Sequence, residues 1–186
     1  MLRAAVRDAD VERISSDALV KSLGGPVALS QNPLLNTEAL RPRTYAGTNV
    51  GVAVIDSGIL PSADLNPALA FDFTTGVAIA VAPRDPFGHG THVAGLIGSS
   101  GLTSKGLYQG VAPQARLIML RALDGTGAGY TSNVIRAIYF AIANKGRFGI
   151  DVINLSLGHP IYEPAASDPL VQAVERAVAS GIVVVA

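Results

Sequence analysis

The chain contains no cysteine, so it has no disulfide framework and no thiolate metal site. It carries no charge excess: Lys and Arg total 14, Asp and Glu total 14, and like charges form no block. That balance excludes the basic footprint of a nucleic-acid binder. No window reaches the ~18 consecutive apolar residues of a membrane-spanning helix. The opening residues, MLRAAVRDADVERISSD, lack the apolar centre of a secretory leader. What remains is a chain of 186 residues, 49% apolar and 15% charged, enough to build one domain with a large core.

From Asn49 onward, short apolar runs alternate with helical periods. VGVAVID (Val50 to Asp56), RLIML (Arg116 to Leu120), DVINLSL (Asp151 to Leu157) and GIVVVA (Gly181 to Ala186) read as buried strands, β-branched and nearly uninterrupted. Thr131 to Asn144 places Val134, Ile135, Ile138, Ala141 and Ile142 at helical spacing, with Lys145 and Gly146 as a stop. A second helix is expected from Asp168 to Ser180, with Asp168 as N-cap, Pro169 in the first turn and Gly181 as terminator. Its inner face is expected to carry Leu170, Val171, Val174, Ala177 and Val178. This alternation predicts an α/β fold of three layers, a mostly parallel sheet with helices on both faces. Residues 1–48 differ: DVERISSDALV (Asp10 to Val20) allows a short strand, and residues 24–47 read as an extended, turn-rich segment.

In open parallel sheets, chemistry gathers at the carboxyl ends of the strands. Asp56 ends the first strong strand. DPFGHGTHVAG (Asp85 to Gly95) opens a helix that is unusually rich in glycine and holds two of the three histidines. An aspartate that accepts a bond from one imidazole nitrogen fixes the tautomer and leaves the other nitrogen free to take a proton from a nucleophile. Asp56 with His89 suits that role. The glycines are expected to let the helix approach the sheet closely, with Gly95 at the contact. Three other readings are weaker. His89 with His92 forms an incomplete metal site, since zinc helices space their histidines by four with an intervening acid. His92 reads instead as a structural histidine under the sheet. GTGAG (Gly125 to Gly129) lacks the lysine of a phosphate loop. Ser156 sits in a strand with no elbow around it, His159 reads as an inert loop residue, and Asn154 reads as a brace for the cleft.

VAVIDSGI followed by GHGTHVAGLI resembles the aspartate and histidine motifs of the subtilisin-like serine proteases, the subtilases. GVAPQARLIMLRAL, DGTGAGYTSNVIRAI and VINLSLG follow in the family's order, so the resemblance covers roughly residues 45–186. It implies a serine endopeptidase with an Asp-His-Ser triad, in which Asp56 orients the imidazole and His89 is the general base. It also implies that an extended substrate adds as a strand between Gly127 and Ala128 on one side and Ser156, Leu157 and Gly158 on the other. The family's nucleophilic serine and its oxyanion asparagine are expected beyond Ala186, so residues 46–186 read as the amino-terminal part of a peptidase domain, inactive alone. Residues 1–45 resemble the tail of an inhibitory propeptide plus a linker, with a maturation cut between Val20 and Tyr45. Extended polypeptides and the chain's own propeptide are the expected partners, with no nucleic acid and no membrane span. No cofactor is expected to be needed for catalysis. Asp64 matches a position that helps hold structural calcium in some subtilases, but SSGLTSKGLYQG departs from the usual pattern, so no calcium is assigned. Secretion is implied by the resemblance alone. The alternative is a non-catalytic, subtilase-like module that binds extended peptides.

Overall fold

A computed structural model describes residues 17–23 and 46–186. The expected linker and the proposed cut sites after Leu23 fall outside the described residues, as does the part of the expected Asp10 to Val20 strand over residues 10–16. The centre is a six-stranded sheet. It is built from β2 (Gly51–Asp56), β3 (Leu69–Asp72), β4 (Ile79–Ala80), β5 (Arg116–Arg121), β7 (Val152–Asn154) and β9 (Val183–Val185), in the order β4-β3-β5-β2-β7-β9. Every pairing is parallel except that of β3 with the short edge strand β4. The three-layer, mostly parallel architecture is therefore present.

Strand periodicity divides the core into two. Val52 and Val54 of β2 and Leu117 and Met119 of β5 face one side, where they pack against helix α1 (His89–Gly98) through Ala94, Val93 and Ile97. Ala53, Ile55, Ile118 and Leu120 face the other side. There they meet α2 (Thr131–Ala143) through Val134, Ala137, Ile138 and Ala141, and α4 (Pro169–Ala179) through Ala173 and Ala177. A four-residue helix, α3 (Lys145–Phe148), links α2 to β7. The α4 boundaries follow from local chemistry. Asp168 accepts from the amides of Leu170 and Val171 at 2.8 and 3.3 Å, Pro169 needs no amide partner in the first turn, and Gly181 turns the chain at φ 77°. The inner face is rotated from the expected one, because Ala173 is buried and Val178 is 55% exposed.

Two expectations change. The run Asp151 to Leu157 is not one strand. It leaves the main sheet after Asn154, and β8 (Leu157–Gly158) joins a second sheet instead. β9 is not buried, since it forms the edge of the described sheet with Val183 and Val185 more than half exposed.

The glycine-rich helix does approach the sheet at backbone distance, but not at Gly95. A Cβ on Gly95 meets nothing within 4 Å, whereas one on Gly90 would lie 2.1 Å from the carbonyl oxygen of Gly58. Close approach is needed at the helix start, where His89 is presented, and not one turn further on. Gly95→Ala is therefore expected to raise stability by up to about 1 kcal/mol through helix propensity alone. Gly90→Ala is expected to destabilise. Urea midpoints of the two variants check both signs, and a loss of stability in Gly95→Ala would contradict this account.

Candidate active site

Asp56 is the last residue of β2 and is fully buried at the carboxyl end of the sheet. Ser57 N–H donates to its Oδ1 at 2.6 Å. His89 opens α1, and its Nδ1 lies 2.9 Å from both carboxylate oxygens of Asp56. The parallel pairing of β2 between β5 and β7 fixes the acid, and the Gly90–Gly58 contact fixes the histidine. Burial raises the Asp56 carboxyl above the usual carboxylate value, against the opposing bonds from His89 and Ser57. Burial also disfavours a charged His89, but the Asp56 carboxylate outweighs it, aided by the Leu23 carbonyl and Asp85, so the His89 pKa is raised. Both shifts run the same way, each group favouring its protonated form more than the free side chain does.

The other imidazole nitrogen faces an unexpected partner. Strand β1 (Leu19–Ser22) lies between β6 (Ala128–Tyr130) and β8, antiparallel to both, in a three-stranded sheet of order β6-β1-β8. Lys21 is opposite Ala128 on one side and Gly158 on the other, and Ser22 is opposite Leu157. Ser22 N–H donates to the Gly127 carbonyl at 3.1 Å, and Leu23 N–H to the Ser156 carbonyl at 2.9 Å. The chain then places the carbonyl oxygen of Leu23 2.9 Å from His89 Nε2. Gly127, Ala128, Ser156, Leu157 and Gly158, the five residues expected to bind substrate, thus flank one groove, and the chain's own residues 17–23 fill it.

Further contacts hold this arm. Val20 is fully buried within the larger core cluster, with Leu19 and Lys21 facing outward. Asp17 accepts from Ser132 N–H at 2.8 Å and Ser132 Oγ at 2.7 Å, and the Ala18 carbonyl accepts from Thr131 N–H at 2.9 Å. These bonds supply the cap that α2 lacks, since its own N-cap, Tyr130, offers no side-chain acceptor. The groove rim is shaped by Asp124, which accepts from Thr126 N–H at 2.8 Å and bends the chain so that Gly127 sits at φ 74°. A side chain at Gly127 would collide with the Phe87 ring, so the glycine answers to Phe87 and not to the arm.

The other residues singled out by pattern fall as follows. Asn154 Nδ2 donates to Ser156 Oγ at 2.9 Å, bracing the β7–β8 bend. Neither groove-side serine is bonded to His89, because Ser57 Oγ donates to Asp85 at 2.8 Å. His92 is exposed and not under the sheet. His159 is largely enclosed, with Nε2 3.5 Å from Asp168 Oδ2 and its ring stacked on Tyr162. Asp64 is occupied by Thr103 N–H at 3.0 Å, Ser100 Oγ at 3.1 Å and the Thr103 hydroxyl. Among the described residues no three His, Asp or Glu side chains converge as metal ligands. No described helix is long and apolar enough to cross a membrane. Sequence reasoning missed Asp85, whose only signal was its place in the first turn before the histidine helix.

A paired Asp and His at strand and helix ends, beside an edge groove that takes an extended strand, can fix a tautomer and present a free nitrogen to a guest backbone. The model of the Subtilase family matches residues 47–186. The chain belongs to the subtilase family. Serine protease AprX of Bacillus subtilis (strain 168) is 40% identical to it over 147 residues, 76% of this chain and 33% of AprX. Subtilisin E of the same strain is 42% identical over 166 residues, 87% of this chain and 39% of that protein. The solved structure of sphericase superposes with a TM-score of 0.66 at 32% identity, covering 76% of this chain and 46% of that one. This subtilase chain thus spans a third to a half of the length of these relatives.

Proposed function

We propose that the full-length protein is a serine endopeptidase in which Asp56 orients and charges His89 and His89 Nε2 serves as general base and acid. The nucleophilic serine comes from sequence following Ala186, and the protein acts outside the cell on extended polypeptide segments. The observation that carries this reading is the Leu23 carbonyl at His89 Nε2. Leu23 sits as the residue on the amino side of a bond to be cut. Its carbonyl carbon, one bond from the oxygen that meets the imidazole, is where a nucleophile activated by His89 would attack. Residues 17–23 are then the protein's own substrate-like inhibitor, and the maturation cut falls between Leu23 and Gly24.

Amino-terminal sequencing of the mature protein tests this directly: Gly24 is the expected first residue left by that cut. Retention of Leu23 on the mature chain, as after a cut before Leu19, would sink the assignment. A purely peptide-binding module is the second reading. The enclosed Asp56–His89 pair speaks against it, because holding an extended strand requires only the groove edges.

The contact also sets a pH dependence. A carbonyl only accepts, so Nε2 must carry a proton, and Nδ1–H is already directed at Asp56. The arm therefore selects imidazolium. The His89 pKa is raised in this state. The corresponding stabilisation is complete below the ordinary histidine value of about 6.5 and is lost as pH rises through the raised value. Inhibition of the arm-free enzyme by an Asp17–Leu23 peptide amide is thus expected to weaken as pH rises. Inhibition that strengthens over the same range would contradict the assigned contact.

A further inference from the structure

Asp85 lies four residues before His89 and is half-buried beneath the turn that leads into α1. Its carboxylate accepts five hydrogen bonds. Oδ1 takes Ser57 Oγ at 2.8 Å, Gly88 N–H at 2.8 Å and Phe87 N–H at 3.2 Å; Oδ2 takes Thr91 N–H at 2.8 Å and Thr91 Oγ1 at 2.5 Å. Part of this is helix capping. The N-cap position is Gly88 at φ 101°, which has no side chain to offer, so Asp85 takes the Gly88 and Thr91 amides from outside the helix.

Capping does not account for the rest. Ser57 follows Asp56 on the turn after β2, and its hydroxyl donates to Asp85 while accepting from Gly90 N–H at 3.0 Å. Thr91 Oγ1, bound to Asp85, accepts in turn from Leu60 N–H at 2.9 Å. One carboxylate thereby ties the turn that leaves the Asp56 strand to the first turn of the His89 helix, on both sides of the Gly58–Gly90 backbone contact. These are the two elements whose separation sets the distance from Asp56 to His89.

We infer that Asp85 is a positioning residue for the Asp56–His89 pair, acting through Ser57 and the start of α1 to hold the imidazole on the carboxylate. This rests on the proposed role of His89 as general base. The same carboxylate places a second negative charge near the imidazole, which adds to the preference of His89 for its protonated form.

The test uses the full-length protein with Asp85→Asn, Asp85→Glu and Ser57→Ala. Steady-state hydrolysis of a peptide anilide is followed across pH, together with the proton resonance of His89 Nδ1–H. Asp85→Asn is expected to lower kcat about tenfold with KM within about twofold, the pattern of a lost transition-state interaction. Its acid limb in kcat/KM moves to lower pH, because a negative charge has left the neighbourhood of the base. Asp85→Glu lowers kcat and leaves that limb in place. Ser57→Ala keeps the Asp85 bonds to the Gly88 and Thr91 amides, removes the Gly90 N–H acceptor together with the link to the strand, lowers kcat in part and shifts the Nδ1–H resonance. If Asp85→Asn does not fold, Ser57→Ala decides. Unchanged kcat together with an unmoved resonance in Ser57→Ala overturns the inference and leaves Asp85 a helix cap only, as does an Asp85→Asn protein with normal kcat and an unshifted acid limb. The resonance reports the Asp56–His89 bond without turnover, so a shift seen in a protein that hydrolyses nothing supports the positioning role while sinking the general-base reading.

Discussion

His89→Ala in the full-length protein is expected to lower peptide-ester hydrolysis by about six orders of magnitude, the scale seen when the general base of a serine-histidine-aspartate triad is removed. The same variant is expected to keep residues 1–23 attached, since the nucleophile that would cut the bond after Leu23 needs His89, which the Leu23 carbonyl touches, to take its proton. Asp56→Asn should cost about four orders of magnitude, because the amide can donate to Nδ1 and select the wrong tautomer. Hydrolysis surviving within tenfold in His89→Ala would remove the Asp56–His89 pair from the mechanism. An arm released normally from that variant would show that another protease performs the maturation.

Val20→Asp in an Asp17–Leu23 peptide is expected to weaken its inhibition of the arm-free enzyme by about a thousandfold. Val20 is fully enclosed by the larger core cluster, among side chains such as Leu123 and Val134 that offer an aspartate no partner. Losing a buried valine forfeits about 1.5–3 kcal/mol. Burying a carboxylate without a partner adds several kcal/mol more. Val20→Ala should cost only about tenfold, since it removes part of the apolar contact and introduces no charge. Lys21 points outward between two strand edges, so Lys21→Ala should be nearly neutral. Inhibition constants for the three peptides rank the contributions, and equal constants for Val20→Asp and Lys21→Ala would show that the arm is held by its backbone alone.

The parts of the fold written in strong periodicity are legible in the sequence. β2, β5, α2 and α4 lie where their apolar spacing and end signals put them, because runs such as Val52 to Ile55 serve two cores at once and leave no ambiguity. The acid at a strand end and the histidine at a helix start are likewise readable as a pair. Four features are not. The break after Asn154 is hidden because Leu155 and Leu157 keep the apolar pattern while the chain changes sheets. Gly90 and Gly95 look alike in one dimension, and only the position of the Gly58 carbonyl separates them. The depth of Val20 and the reach of Asp85 depend on contacts between distant parts of the chain in one case and on a turn's hydrogen bonds in the other, and neither leaves a periodic trace.

The arm is one backbone thick. Once it departs, β6 and β8 stand two interstrand spacings apart, about 9.5 Å, each with an open row of amides and carbonyls directed across the gap. An α-helix with its side chains, about 10–12 Å across, does not pass into such a slot. A proline in the middle of a guest segment forfeits a bond to one wall. For the proposed endopeptidase the expected consequence is selection of polypeptides by conformation before sequence: a compact domain would offer the opening nothing, while a frayed end or a loosened loop would pair along both walls.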